Sequence, residues 1–246
     1  MDSTLKCQIQ TKFEPLSYYS WWHERWCYKM TEISWEHKEK LIPIIRVIDK
    51  ELGLGLDQAE LLKLNSELLE YPDSDHLRPL SFSLPIKQDL KVLLLKMLKF
   101  MGKVAKANDC KFRDCASKTI EKEDNGVRYY VNPDQASSPD SSNSNKSYRI
   151  TRLDLGTYKN TGSGNIINKL YDCPGFEVLV MLLSNPSVYE LMDGITLPFI
   201  VVPGIVIGKN YHLKFSYNCS SKEFTASCVW GADAFLGHTL AAYATD

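Results

Sequence analysis

Residues 211–230 read YHLKFSYNCSSKEFTASCVW. Apolar and polar side chains alternate on both sides of the polar segment 218–222, which is the pattern of two strands with one buried face each. The apolar face consists of Leu213, Phe215 and Tyr217 on the first strand and of Phe224, Ala226, Cys228 and Trp230 on the second. The stretch therefore predicts an antiparallel β-hairpin with residues 218–222 as its loop.

Segments rich in Tyr, Val, Ile and Thr predict further strands upstream of the hairpin. They are residues 127–132, 148–155, 196–202 and 205–207. Between them, an apolar run that follows Pro174 predicts a buried helix at about 174–184, with a second short helix ended by Gly194.

Residues 1 to about 118 show helical spacing instead. Asp57 and Glu60 form a capping box at the start of a helix that Pro72 ends. Leu and Met recur at intervals of four and three from Pro85 to about Asn108, which predicts a long amphipathic helix. The fold class we predict is α+β, with an N-terminal helical layer packed on a C-terminal antiparallel sheet that contains one buried helix.

The domain organisation follows the same division of the chain. We predict a mainly helical subdomain at 1–118 and a β-rich subdomain at 119–246, together forming one compact unit. Residues 133–147 hold six serines and almost no apolar side chain, so we predict a flexible loop there. An interdomain linker is the alternative for this segment.

Composition excludes several classes of protein. With 44% hydrophobic and 24% charged residues over 246 positions, the chain has enough apolar residues to form an ordinary core, which excludes global disorder. Seven irregularly spaced cysteines are typical of reduced thiols, and no secretory leader is visible, so we expect a cytoplasmic protein. The longest uncharged apolar stretch, 195–208, is too short to cross a membrane, so we expect no membrane span.

Positive charge is concentrated in residues 87–118, which carry nine Lys or Arg against three Asp. We read this as a basic helix, with four lysines gathered opposite the Leu and Met stripe: Lys96, Lys99, Lys103 and Lys106. Residues 49–75 carry eight Asp or Glu against two Lys, so the first interpretation is a solvated surface that the acidic segment neutralises. Nucleic-acid contact through the four lysines is the alternative.

Four of the five tryptophans lie near the N-terminus. Tryptophan and arginine often anchor protein interfaces, because they bury large areas and still satisfy a polar group. We therefore predict a partner-binding site at Trp21, Trp22, Arg25 and Trp26. The alternatives are a helix that buries these rings against the sheet, and stacking of unpaired bases on them.

Catalytic and metal-binding motifs are weak throughout. His23 and Cys27 resemble a zinc-helix spacing with Cys at the second ligand position, and His37 supplies a third candidate without a clear fourth. Cys110 and Cys115 are spaced too widely for a zinc knuckle. We predict no metal site and no cofactor.

The function we predict is that of a non-catalytic interaction protein, a subunit or adaptor of an intracellular macromolecular assembly, with another protein as partner. Nucleic-acid contact through residues 87–118 is one alternative. The other is an enzyme with a pocket between the helical layer and the sheet, using His212, Asp172, Cys173 or the pair His23 and Glu24. The sequence alone leaves open whether the chain is an enzyme.

Overall fold

The structure is a computed structural model of the full chain. It describes residues 43, 45–53, 55–70, 79–83, 89–129, 149–155, 174–192, 197, 199–231, 239–240 and 242–243. All of them fall within one compact unit of the chain. The division at residue 118 stays a prediction, and the serine-rich segment 133–147 lies outside the described residues.

The elements alternate between helices and strands along the chain. Residues 45–52 are helical, and the helices that follow are α1 (Gln58–Glu70), α2 (Leu90–Ala107), α3 (Ala116–Lys122), α4 (Phe176–Ser184) and a 3-10 helix (Pro186–Leu191). The strands are β1 (Leu80–Ser83), β2 (Lys111–Asp114), β3 (Val127–Tyr129), β4 (Arg149–Asp154), β5 (Ile200–Ile207), β6 (Tyr211–Asn218), β7 (Glu223–Trp230), β8 (Thr239–Leu240) and β9 (Ala242–Tyr243). The chain is therefore α+β, as the sequence predicts.

Two strands lie in the region predicted to be helical, which corrects that part of the prediction. Strands β1 and β2 are four residues each, and both come before residue 118. β1 pairs with β4 in a smaller sheet of order β1-β4-β9, and β2 pairs with β7 in the larger sheet. Each strand pairs with a strand far along the chain, so the local sequence pattern, which is helical, did not predict it.

The larger sheet has six strands and is mixed rather than purely antiparallel, which is a second correction. Its order is β2-β7-β6-β5-β3, with β8 also paired to β5. β2 runs parallel to β7 and β8 runs parallel to β5, while the central pairs are antiparallel. The predicted hairpin is confirmed, because β6 and β7 pair along their whole length from Tyr211 opposite Trp230 to Asn218 opposite Glu223.

Strand β5 replaces the two separate strands predicted at 196–202 and 205–207. Val202 pairs with Leu213 and Val206 pairs with the adjacent His212, so three residues of β5 bulge out between them. Pro203 sits in this bulge, where its missing N–H removes no ladder hydrogen bond. Beyond the bulge, the edge of β5 away from β6 pairs with β3.

Aromatic rings fill the space between the larger sheet and its helices. Tyr189 stacks on Phe224 with ring centroids 4.0 Å apart, and Phe215 lies 5.6 Å from the same ring. Phe112 approaches Phe224 from β2, at 5.7 Å. Gly102 allows α2 to pack closely on the Phe112 ring, since a Cβ at this position would lie 3.1 Å from a ring carbon.

Helix α4 is the predicted buried helix, and all nine of its residues are buried. It includes Glu177, which is 3% exposed. The Tyr129 hydroxyl donates to one carboxylate oxygen at 2.6 Å, and the Gly175 N–H donates to the other at 2.9 Å. The Ser81 hydroxyl of β1 donates to the Glu177 carbonyl oxygen at 2.6 Å, so one buried residue connects α4 to both sheets.

The predicted capping box is present at the start of α1. The Glu60 N–H donates to Asp57 Oδ1 at 2.7 Å, and the Asp57 N–H donates back to Glu60 Oε2 at 3.0 Å. Leu64 and Leu68 on the following turns are fully buried. In the part of the chain that the structure describes, no helix is long and apolar enough to span a bilayer.

Candidate functional site

Helix α2 carries the predicted lysine cluster. The Asp89 side chain caps it by accepting the Val92 N–H at 3.0 Å, so the helix begins at Leu90. It ends at Ala107, where Asp109 turns the chain with a φ of 53°. The basic helix predicted at 87–118 is therefore wrong in extent, because β2 and α3 occupy its second half.

The inner side of α2 is apolar and belongs to the core. Its packing partners include β2, β3, α3 and α4. The buried residues of α2 are Leu93, Leu94, Met97, Leu98, Phe100, Met101 and Ala105. Because this side is held by the core, the opposite side has a fixed orientation toward solvent.

The outer side of α2 presents a row of residues that we call the lysine stripe, defined as Val92, Lys96, Lys99, Lys103 and Lys106. Their spacing of four, three, four and three residues places them on one helical face. All five are exposed, and Val92 is 47% exposed. At 1.5 Å of rise per residue the stripe is about 21 Å long.

The Glu51 carboxylate contacts this stripe. Glu51, on the helical segment 45–52, lies with Oε2 2.6 Å from Lys103 Nζ. The side chains remain 57% and 35% exposed for Lys103 and Glu51, so this is a surface ion pair worth under about 1 kcal/mol. It supports part of the neutralisation predicted for residues 49–75.

Other acidic groups of that segment have local roles. Asp57 and Glu60 form the capping box, and Asp49 Oδ1 accepts the Leu56 N–H at 3.0 Å. Among the described residues, no carboxylate lies within ion-pair distance of Lys99 or Lys106. The neutralisation of the stripe by described residues is therefore incomplete.

The other basic residues of 87–118 that the structure describes lie apart from the stripe. Lys91 Nζ donates to the carbonyl oxygens of Glu121 and Glu123 at 3.0 and 3.2 Å, where it satisfies the carboxyl end of α3. Lys111 and Arg113 are exposed on β2, an edge strand of the larger sheet. Charged side chains on an edge strand oppose pairing with another chain, which gives these two residues a structural role.

Within α2 the stripe is electrostatically unfavourable. The helix contains five lysines and neither Asp nor Glu. Lys96, Lys99 and Lys103 succeed one another at spacings of three and four, and Lys106 continues the row. Like charges at these spacings cost a few tenths of a kcal/mol per pair, so three pairs cost about 1 kcal/mol.

The predicted partner site at Trp21, Trp22, Arg25 and Trp26 lies outside the described residues. So do the candidate ligands His23, Cys27 and His37, and the candidate catalytic residues Glu24, Asp172 and Cys173. These assignments stay predictions. Of the candidate catalytic residues, the structure describes His212 alone.

His212 is a core residue of β6, beside the bulge of β5. Its side chain is fully buried, and Nδ1 lies 3.2 Å from the Ile205 carbonyl oxygen. Burial lowers the pKa of the imidazole, with hydrogen bonds to the Ile205 and Pro203 carbonyls opposing the shift and the Arg128 charge adding to it. The neutral ring therefore belongs to the fold, and it offers no surface to a substrate.

The described thiols are all free. Burial raises the pKa of Cys110, and it raises the pKa of Cys228 to about 12. Both thiols are therefore protonated at neutral pH and poor nucleophiles. Within the described ranges, no group of three His, Cys, Asp or Glu side chains is placed to hold a metal ion.

Sequence reasoning missed two members of the site. Val92 belongs to the stripe by helical spacing, but we did not predict it because most apolar residues of this helix belong to the core. Glu51 lies 52 positions before Lys103, and only the packing of residues 45–52 brings the two together. Helical spacing from Lys96 could have found Val92, whereas no local signal could have found Glu51.

Comparison with known proteins gives no functional information. No protein-family model matches the sequence, and neither a curated protein nor a solved structure matches it.

Proposed function

We propose that this chain acts as a non-catalytic interaction protein, a subunit or adaptor of an intracellular assembly, and that the lysine stripe of α2 is one of its contact surfaces. The observation that carries the proposal is the row of Lys96, Lys99, Lys103 and Lys106 on the outer side of a helix whose inner side is core. A negatively charged partner gives this row a favourable role. The tryptophan segment at Trp21–Trp26 is proposed as a second contact zone.

Charge repulsion along α2 favours a contact surface over a merely solvated one. Surface helices usually intersperse both signs of charge, since acidic residues one turn away from lysines stabilise the helix. Helix α2 does not, and it loses about 1 kcal/mol to repulsion along the stripe. A sequence that keeps an unfavourable surface arrangement is typical of a functional site.

This argument gives a first test with two readouts of opposite sign. Lys99→Glu places opposite charges at spacings of three and four from Lys96 and Lys103. We expect it to raise the free energy of unfolding by up to about 1 kcal/mol and to weaken partner binding. A variant that loses stability instead would show that Lys99 serves the fold of the isolated chain.

The test of the proposed function itself is the size of the native particle. We expect the chain, at its native level in a gentle extract, to sediment well above its own 28.1 kDa. The double variant Lys99→Glu/Lys106→Glu should shift toward the size of the free chain. The matched control is Lys118→Glu/Lys209→Glu, which changes the charge equally at exposed positions on other elements. Sedimentation of the wild-type chain at its own mass would contradict the proposal.

Nucleic-acid contact is the second candidate, favoured by the same four exposed lysines. It has a distinct signature, since release of counterions from duplex DNA gives log K against log salt a slope of about −0.9 per neutralised phosphate. Four lysines predict a slope between about −3 and −4. Retention on a polyanion column that ignores charge reversal along the stripe would eliminate this candidate.

A further inference from the structure

We infer that the partner of the lysine stripe is an acidic helical segment of a protein, which aligns carboxylates with the four lysines and places one aliphatic side chain on Val92. The inference rests on the proposed function and names the chemistry of the partner. It follows from an internal contact, from the composition of the stripe, and from the charge of the whole chain.

The internal contact is Glu51 on Lys103. Glu51 comes from a helical segment whose buried residues Ile45, Ile48 and Leu52 fix it against the core. Its Oε2 atom lies 2.6 Å from Lys103 Nζ, so a carboxylate on a neighbouring helix fits this surface without any other molecule present. The pair shows, at Lys103, the geometry that we assign to the partner.

Val92 is the second argument. It stands four residues before Lys96, at the amino-terminal end of the stripe, and is 47% exposed. A phosphate backbone offers nothing apolar to this residue, whereas an amphipathic acidic helix offers Leu or Val next to its carboxylates. The stripe therefore matches a mixed acidic and apolar surface better than a purely anionic one.

The composition of α2 also disfavours nucleic acid. The helix holds neither arginine, asparagine nor glutamine, so lysine is the only residue type on its exposed side that could read a base edge, and it could read only guanine. Its single aromatic residue, Phe100, is buried and cannot stack on a base. The charged residues of the stripe are all lysines, whose ammonium groups recognise carboxylates as well as phosphates.

The charge of the whole chain points the same way. The net charge is −1 and the isoelectric point is about 6.5, whereas a nucleic-acid-binding domain is typically strongly basic. A long polyanion meets acidic as well as basic surface on such a protein. A short acidic helix needs only the field of the stripe, which acts within a screening length of about 8 Å.

The stripe defines the size of its partner. Its length of about 21 Å corresponds to about 14 residues of helix. Carboxylates spaced by three and four residues along such a helix repeat at the intervals of the lysines. The probe we specify is a synthetic, fluorescently labelled helical peptide of about 18 residues, with four glutamates at these spacings and one leucine beyond the last of them.

Binding is measured by fluorescence anisotropy on the full chain. We expect Lys99→Glu/Lys106→Glu to weaken peptide binding at least tenfold and the control Lys118→Glu/Lys209→Glu to change it by less than about twofold. Glu51→Gln should tighten binding by up to about fivefold, because Glu51 competes with the peptide for Lys103. Circular dichroism of each variant verifies that it is folded.

The apolar contact has its own control. Val92→Thr keeps the shape of the side chain and its N–H, so the cap at Asp89 is retained. It should weaken binding of the leucine peptide by about threefold and leave binding of a leucine-to-glutamine peptide unchanged. Equal effects on the two peptides would overturn the assignment of Val92.

Two outcomes overturn the inference as a whole. The first is tighter binding of a random-sequence oligonucleotide than of the peptide at the same ionic strength, lost in Lys99→Glu/Lys106→Glu, which would identify a nucleic-acid surface. The second is peptide binding that charge reversal along the stripe does not change. If either result is obtained while the wild-type chain sediments above 28.1 kDa, the inference is refuted and the proposed function is not. If the wild-type chain sediments at its own mass, the proposed function is refuted.

Discussion

Replacing Tyr129 by Phe tests the buried centre that joins the two sheets. Tyr129 donates a 2.6 Å hydrogen bond to the Glu177 carboxylate, and Glu177 is 3% exposed. Tyr129→Phe keeps the ring, which lies edge-on to Phe176 at 5.2 Å, and removes the hydroxyl alone. The Gly175 N–H remains on the other carboxylate oxygen, so the charge keeps part of its solvation.

The expected cost follows from the type of hydrogen bond. A bond to a charged group contributes about 1.5–3 kcal/mol, and because Glu177 is buried, solvent has little access to replace the lost donor. We expect Tyr129→Phe to lower the free energy of unfolding by about 2 kcal/mol. For a chain of this size that corresponds to a fall in Tm of about 4–8 °C.

The assay is thermal unfolding of a double-mutant cycle. In the Glu177→Gln background the acceptor is neutral, so Tyr129→Phe should cost only about 1 kcal/mol, and the two changes should be coupled by about 1 kcal/mol. Tyr211→Phe is the matched control, because its half-buried ring packs on Trp230 and its hydroxyl makes no hydrogen bond to the described residues. Equal Tm values for Tyr129→Phe and Tyr211→Phe would refute the reasoning.

Three further predictions concern single groups. Burial lowers the pKa of His212, so below its ordinary pKa of 6.5 the unfolded chain binds a proton that the folded chain does not. The free energy of unfolding should therefore fall as the pH drops from about 6.5 toward the lowered pKa, by at most about 1.4 kcal/mol per pH unit. Urea unfolding of His212→Gln should lack this pH dependence. Asp89→Ala removes the cap of α2, and we expect a loss of about 1 kcal/mol in chemical denaturation, whereas Asp89→Ser should retain most of the stability. In the native state, iodoacetamide should modify the exposed Cys219 far faster than Cys228, because the pKa of Cys228, about 12, leaves almost no thiolate. The two rates are measured by mass spectrometry, and equal rates would contradict the raised pKa of Cys228.

Features with local causes are the ones that the sequence predicts well. The capping box at Asp57 needs only Glu60 three residues later, and the hairpin of β6 and β7 needs only two alternating segments joined by a short polar loop. The Asn218 side chain accepts the N–H groups of Ser220 and Ser221 at 3.0 and 3.2 Å, so the turn chemistry is local too. Helical spacing likewise placed the four lysines on one face.

Features with distant causes could not be read from one sequence. β2 has a single apolar residue, Phe112, and it becomes a strand because β7 lies beside it in parallel, more than one hundred residues later. β1 alternates Leu80 and Phe82 with serines, but its four residues are too few to outweigh the helical spacing around them. The bulge of β5 likewise depends on how β6 pairs with it, and its Pro203-Gly204 dipeptide is typical of a loop.

The candidate site shows the same division. The spacing of Lys96, Lys99, Lys103 and Lys106 predicted a basic face, and the helix predicted to end at about Asn108 ends at Ala107. The contact of Glu51 with Lys103 depends on tertiary packing alone. The inference about the partner depends on that contact, which the sequence alone did not predict.

The most direct measurement is the affinity of the acidic helical peptide for the wild-type chain and for Lys99→Glu/Lys106→Glu, side by side with an oligonucleotide of equal charge at one ionic strength. Our account predicts that the wild-type chain prefers the peptide and that charge reversal weakens peptide binding at least tenfold. A wild-type chain that prefers the oligonucleotide, or a peptide affinity that is the same for both proteins, would contradict it.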